Sequence, residues 1–275
     1  MKIVWLYFLL RKKLGLAKIG QPPRAPARPS SRDLRGLELE EMVVDGFTVY
    51  RVKPEGVKRR VVFLHGGGYV QPIAKQHWQL ITFLAKKANA EFLVPLYGLS
   101  PKYKVDDALR LLHDLREILD SRLPICLMGD SAGGGLALSI AQNSWTDVEK
   151  LILISPWVSS DFGPETDIYE KRDPWLNPES LKYIATIWSG QANRNRKEVS
   201  PLLGEMGNLP TTTIFAGDYE LFFPQLQELY RKILSSGVNA DLYVQEGGLH
   251  VFPLIPSREG RNAKLRLVRE LEGQK

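Results

Sequence analysis

Ile125-Cys126-Leu127-Met128-Gly129-Asp130-Ser131-Ala132-Gly133 is the stretch that decides how this chain is built. Its four leading apolar residues read as a buried strand that runs straight into Gly129. Gly133 to Gln142 reads as a helix rich in small residues. The string G-x-S-x-G lies between them, so Ser131 stands at the tip of a sharp strand-to-helix turn. Such a turn leaves no room for bulk two residues before or after the serine, and Gly129 and Gly133 provide that room. The helix beginning there aims its N–H groups and positive dipole end at the same spot. A phosphate-binding glycine loop is the rival reading, and it would want a lysine close by, which this stretch lacks.

Outward from the turn, apolar runs alternate with amphipathic segments from about residue 43. Phe47 to Val52, Arg60 to Leu64, Glu91 to Val94, Leu151 to Ile154, Thr212 to Phe215 and Leu242 to Val244 read as strands. His77 to Ala88, Asp106 to Asp120 and Gln225 to Leu234 read as helices; in the second, Leu109, Leu112 and Leu115 keep helical spacing. The alternation predicts an α/β fold, a mostly parallel sheet with helices on both faces. Reactive residues in such sheets gather beyond the carboxyl ends of the strands.

The chain has 275 residues, 44% hydrophobic and 25% charged, enough to bury one large core or two small ones. Its single cysteine, Cys126, excludes an intrachain disulfide and reads as a small buried hydrophobe. The net charge of +6 is uneven: residues 1–36 hold nine basic residues and one acid, Asp33. No zinc-finger spacing, aromatic RNA-binding strand or basic zipper accompanies that charge, so no nucleic-acid partner is expected. The longest apolar run, Ile3 to Leu10, is far short of the roughly 20 residues a membrane span needs. Arg11-Lys12-Lys13 follows it, where a signal peptide would want a neutral cleavage region. A cytoplasmic location is expected, with residues 1–20 either packed over the protein's own pocket or in peripheral contact with a membrane. Four prolines between Gln21 and Ser31 make an extended connector.

A serine hydroxyl is a weak nucleophile without a base. Of the four histidines, His77 and His113 fall in helical segments and read as surface residues. His65 follows a strand and precedes Gly66-Gly67-Gly68, and reads as an orienting residue. His250 lies in Glu246-Gly247-Gly248-Leu249-His250, just after the last strand, and is the candidate base. A carboxylate at an intervening strand end should hold the imidazole in the correct tautomer. Asp218 and Glu220, after Thr212 to Phe215, both qualify, and pattern alone leaves the choice open. The glycine run at 66–68 and the N–H of Ala132 offer donors for a developing oxyanion. No metal or organic cofactor is implied.

His65-Gly66-Gly67-Gly68 and Gly129-Asp130-Ser131-Ala132-Gly133-Gly134 resemble the H-G-G-G and G-D-S-A-G-G marks of the hormone-sensitive-lipase-like esterases, a branch of the α/β-hydrolases. Pro95 to Pro101, Ser200-Pro201-Leu202 and Gly248 to Pro253 extend the likeness. The resemblance implies an α/β-hydrolase fold with a helical cap, built from residues 1–40 and an insertion near 160–200 of a catalytic domain at 41–275. It implies that Phe162, Tyr169, Trp175, Tyr183 and Trp188 line a pocket or form the core of the cap. It implies hydrolysis of small carboxylic esters, with short acyl groups or acetyl, through Ser131 and His250, and oxyanion donors at Gly67, Gly68 and Ala132. Where the family usually writes aspartate in its acid stretch, Gly217-Asp218-Tyr219-Glu220-Leu221 carries glutamate. A bacterial branch does the same and adds a proline, here Pro224, which favours Glu220 over Asp218. A membrane-surface lipase and an amidase on the same residues are the alternatives. Plant hormone receptors in the same family lack the histidine, and His250 argues against such a non-catalytic binder. Oligomeric state is not legible.

Overall fold

The computed structural model describes residues 1, 25–120, 122–145, 147–190 and 193–273. The arm at residues 2–24, on which the expectations of an N-terminal cap and of membrane contact fall, lies outside the described residues.

In β3 (Arg59–Leu64), β5 (Ile125–Asp130) and β6 (Val148–Ile154), successive apolar side chains point to opposite faces, as the two-residue period of a strand requires. Val62, Leu64, Leu127, Leu151 and Leu153 enter one core, whereas Val61, Phe63, Cys126, Met128, Ile152 and Ile154 enter the other. Strands buried on both faces read as unbroken apolar runs, which is why these three are legible in the sequence. They join β1 (Glu38–Val44), β2 (Phe47–Lys53), β4 (Ala90–Pro95), β7 (Thr211–Gly217) and β8 (Ala240–Gln245) in one eight-stranded sheet ordered β1-β2-β4-β3-β5-β6-β7-β8. β2 runs antiparallel to both neighbours, and every other pairing is parallel.

Helices α2 (Val105–Glu117), α3 (Ser131–Asn143) and α6 (Phe223–Ser235) cover the first core, through residues such as Leu111, Leu136 and Leu229. Helices α1 (Lys75–Lys87) and α7 (Arg258–Glu272) cover the second, through Trp78, Ile81 and Leu267. Between β6 and β7, α4 (Asp167–Arg172) and α5 (Pro178–Trp188) occupy the segment expected to be an insertion. The α/β class and the mostly parallel sheet expected from the sequence are both present.

Two elements escape the sequence reading. β1 carries three glutamates and is largely exposed, so it lacks the alternation of a half-buried strand. It is held by a two-residue turn at Asp45-Gly46, both with positive φ (48° and 77°), the geometry of a tight hairpin. Cross-strand ion pairs add to this, with Lys53 Nζ 2.6 Å from Glu40 and 3.2 Å from Glu38. α7 is rich in charge and buries Ala263, Leu267 and Leu271 in the core, with Val268 packed at its edge. Its ends are marked by chain signals: the Ser257 hydroxyl accepts from Gly260 N–H at 3.0 Å, and Gly273 closes the helix with φ 72°. Among the described residues, no helix is long and apolar enough to cross a membrane.

Candidate active site

β5 ends at Asp130 and α3 begins at Ser131, so the serine takes up the whole change of direction. Its φ is +51°, a left-handed conformation that costs a residue with a side chain about 1–2 kcal/mol. Neighbours hold it there: Trp157 N–H donates to the Ser131 carbonyl at 2.8 Å, and the Tyr69 hydroxyl donates to the Ala132 carbonyl at 2.8 Å. A β-carbon on Gly133 would overlap the carbonyl oxygens of Leu64 and His65, and one on Gly129 would overlap the backbone of Gly133. The absence of bulk expected at both positions therefore has a steric cause.

His250 lies beyond β8, and its Nε2 is 2.9 Å from Ser131 Oγ. Its Nδ1–H donates to Glu220 Oε2 at 2.7 Å. Glu220 is fully buried at the end of β7, and its Oε1 accepts from Gly217 N–H at 2.9 Å and from the Ser155 hydroxyl at 3.0 Å. Of the two carboxylates weighed above, Glu220 is the one brought to the imidazole; Asp218 Oδ1 is buried with no hydrogen-bond partner among the described residues. Burial disfavours the imidazolium of His250, but the hydrogen bond and charge of Glu220 outweigh it, with Asp173 and Asp130 adding to them, and the ring is held above the ordinary histidine value. Burial pushes the Glu220 carboxyl up, opposed by the donors it accepts.

The glycine loop is joined to the elbow through Asp130. One carboxylate oxygen accepts from Gly66 N–H at 2.9 Å, and the other lies 3.3 Å from His77 Nε2. His77 Nδ1 in turn accepts from Ala74 N–H at 2.9 Å, which leaves Nε2 to donate to Asp130. Burial raises the Asp130 carboxyl, yet His77 and the Gly66 N–H outweigh it and hold it below the usual carboxylate value. The expectation that His77 is a surface residue is corrected here: it is 7% exposed. Its helix was recognised, but which turn of that helix abuts another element is a tertiary fact. His113 is exposed, as expected. His65 does not touch Ser131; its ring stacks on Tyr97 at 4.6 Å and its Nδ1–H donates to Gly66 O at 2.7 Å. Burial lowers it to about 4, so it is neutral and serves the loop's shape.

Gly67 and Gly68, with φ of 124° and 60°, line one cavity of about 830 Å³ together with Ser131 and His250. Trp175, Leu176 and Leu181 from the insertion form one apolar wall, and Val251, Leu254 and Ile255 another. Of the five aromatic residues expected at a pocket or in a cap core, only Trp175 lines the cavity. Trp188 is buried and stacks on Tyr69 at 4.3 Å, Phe162 stacks on Phe222 at 6.3 Å, Tyr169 meets Phe223 at 5.9 Å, and Tyr183 is 67% exposed. Two polar residues at the site have no role assigned from the sequence, Ser155 being legible there only as the end of a strand. Ser155 follows β6 directly, and Asp173, fully buried in the insertion, accepts from Leu221 N–H at 2.8 Å. Serine and aspartate are common in loops, so neither carried a distinguishing signal beyond its position near a strand end or turn.

The profile of the α/β-hydrolase fold family matches residues 61–254. The chain belongs to this family. Among its relatives, the carboxylesterase/phospholipase LipF of Mycobacterium tuberculosis is 30% identical over 220 residues, covering 74% of this chain and 59% of LipF. The esterase LipU of the same organism is 30% identical over 217 residues, covering 74% of this chain and 73% of LipU. The chain thus spans 59% of the length of LipF, less than two thirds. A crystal structure of an esterase from the bacterial hormone-sensitive lipase family superposes with a TM-score of 0.80 at 24% identity, covering 98% of this chain and 97% of that one. A hormone-sensitive lipase from a metagenome library gives 0.83 at 22% identity, with the same coverage. At such identities the superpositions speak for the fold.

In this α/β-hydrolase the Gly133 contact sets the elbow, so Gly133→Ala should lower unfolding free energy by about 3 kcal/mol. Urea denaturation measures this, and a variant as stable as the parent would disprove the steric constraint.

Proposed function

We propose that this chain is a serine hydrolase of carboxylic esters. The observation that carries the reading is the line of contacts from Ser131 Oγ to His250 Nε2 at 2.9 Å and from His250 Nδ1 to Glu220 Oε2 at 2.7 Å. Ser131 attacks the ester carbonyl while His250 takes its proton. Glu220 keeps the proton on Nδ1 and stabilises the imidazolium as it forms. The N–H groups of Gly67, Gly68 and Ala132 receive the developing oxyanion, each such donor being worth roughly 3–4 kcal/mol at the transition state. His250 then protonates the leaving alcohol, and water activated by the same ring frees the acid from Ser131. The esterase names of LipF and LipU support this reading. The division into a catalytic domain at 41–275 and a cap near 160–200 accords with an insertion that walls the cavity.

Ser131→Ala should abolish hydrolysis of p-nitrophenyl butyrate, by about 10⁴-fold or more. A variant that keeps the parent's rate would refute the assignment.

The base must be neutral, so activity falls as pH drops through the raised pKa of His250. The acid shoulder of kcat/KM should therefore stand above the ordinary histidine value of 6.5. Glu220→Gln keeps an oxygen that can accept from Nδ1–H but removes the charge that raises the ring, leaving burial opposed by the more distant Asp173 and Asp130. The shoulder should then move to lower pH, and the plateau should fall by about 10³–10⁴-fold. A shoulder unmoved by that substitution would count against Glu220.

The cavity walls are apolar and spacious, so acetyl should be a poor acyl group and kcat/KM should climb from acetate to butyrate to hexanoate. Each buried methylene is worth about 0.8 kcal/mol, or about fourfold in rate. Rates that decline steadily from acetate would mean that the acyl chain does not enter this cavity.

A further inference from the structure

Ser155 sits at the junction of three segments. It follows the last residue of β6, is fully buried, and has φ +45°. Its N–H donates to Phe215 O of β7 at 2.7 Å. Its hydroxyl contacts Glu220 Oε1 at 3.0 Å and accepts from Val251 N–H at 2.9 Å. Val251 is the residue after His250 and is itself left-handed, with φ +49°.

The chemistry of these partners fixes the direction of each bond. A backbone N–H can only donate, and an ionised carboxylate can only accept. The single hydroxyl proton of Ser155 therefore goes to Glu220, and an oxygen lone pair takes the N–H of Val251. Glu220 Oε1 then holds two donors, Ser155 and Gly217 N–H, which leaves Oε2 for His250. Rotating the carboxylate would break both bonds at Oε1, and shifting the His250 loop would break the bond at Val251.

We propose that Ser155 is a positioning residue for the hydrolysis assigned above, its one hydroxyl setting the Glu220 carboxylate and the His250 loop in a common frame. The proposal rests on that hydrolase reading. It explains why an expensive backbone conformation, natural for glycine, carries a side chain here. It also explains how residues 30 apart in sequence keep a fixed mutual geometry: both are tied to one oxygen at the end of a central strand.

The test uses Ser155→Gly and Ser155→Ala in the full chain. Glycine suits a φ of +45° and relieves strain while removing the hydroxyl, so a fold that alanine would weaken is kept. The fraction of competent sites is counted by titration with a phosphonate that reacts with the nucleophilic serine. Per titrated site, both variants should lose about 10- to 100-fold in kcat with KM changed by less than about twofold. The downfield proton NMR signal of the His250 Nδ1–H should shift and broaden in both. A purely structural role predicts fewer competent sites and a lower melting temperature, with kcat per site and the NMR signal unchanged; that outcome overturns the proposal. Parent-like kcat in Ser155→Gly alongside an inactive Ser131→Ala also overturns it while leaving the hydrolase reading intact. If Ser131→Ala stays active, the hydrolase reading fails instead, and an unchanged Nδ1–H signal in Ser155→Gly then removes the positioning role as well.

Discussion

Gly133 lies so close to the carbonyl oxygens of Leu64 and His65 that a β-carbon there would overlap both. This contact presses the first turn of α3 onto the end of β3, and much of the site follows from it. The glycine loop leaves β3 at that same end, so it arrives beside Ser131. Asp130, one residue before the turn, reaches across and takes the Gly66 N–H. A β-carbon on Gly66 would in turn overlap the Asp130 carboxylate. Steric exclusion thus sets the distance between the two segments, and a hydrogen bond sets their register.

Burial then sharpens the electrostatics. An ionised carboxylate removed from water costs several kcal/mol unless its oxygens are fully hydrogen-bonded. Glu220 accepts from His250, Gly217 N–H and Ser155, so both oxygens are occupied. The same low dielectric that makes an unpaired charge expensive makes the His250–Glu220 bond strong and directional. The imidazole ring is consequently held toward Ser131 while almost wholly buried.

The insertion does more than wall the cavity. Asp173 takes the Leu221 N–H, next to Glu220, and also the N–H groups of Trp175 and Leu176. A single buried carboxylate thereby fixes a cavity-lining tryptophan relative to the acid turn. At its other end, Trp188 stacks on Tyr69, whose hydroxyl holds the Ala132 carbonyl. Movement of α5 would be felt at the Ala132–Gly133 peptide, one residue past the proposed nucleophile, because stacked rings and short hydrogen bonds transmit displacement with little slack.

Residue order alone was enough to establish the α/β class, the position of the elbow and the choice of Ser131 and His250 as the candidate pair. Central strands are buried on both faces and announce themselves as apolar runs, and a crowded turn demands glycine at 129 and 133. Glu220 was favoured over Asp218 through family likeness, since two acids two residues apart look alike until one is seen to face the imidazole. The packed chain was needed to show that β1 and α7 belong to the fold, because an edge strand and a charged outer helix carry weak hydrophobic patterns. Packing also placed His77 against Asp130, and Ser155 and Asp173 beside the acid turn. Those roles arise from contacts between residues 48 to 96 positions apart, and no local pattern of polarity or spacing records which polar side chain will be the one enclosed.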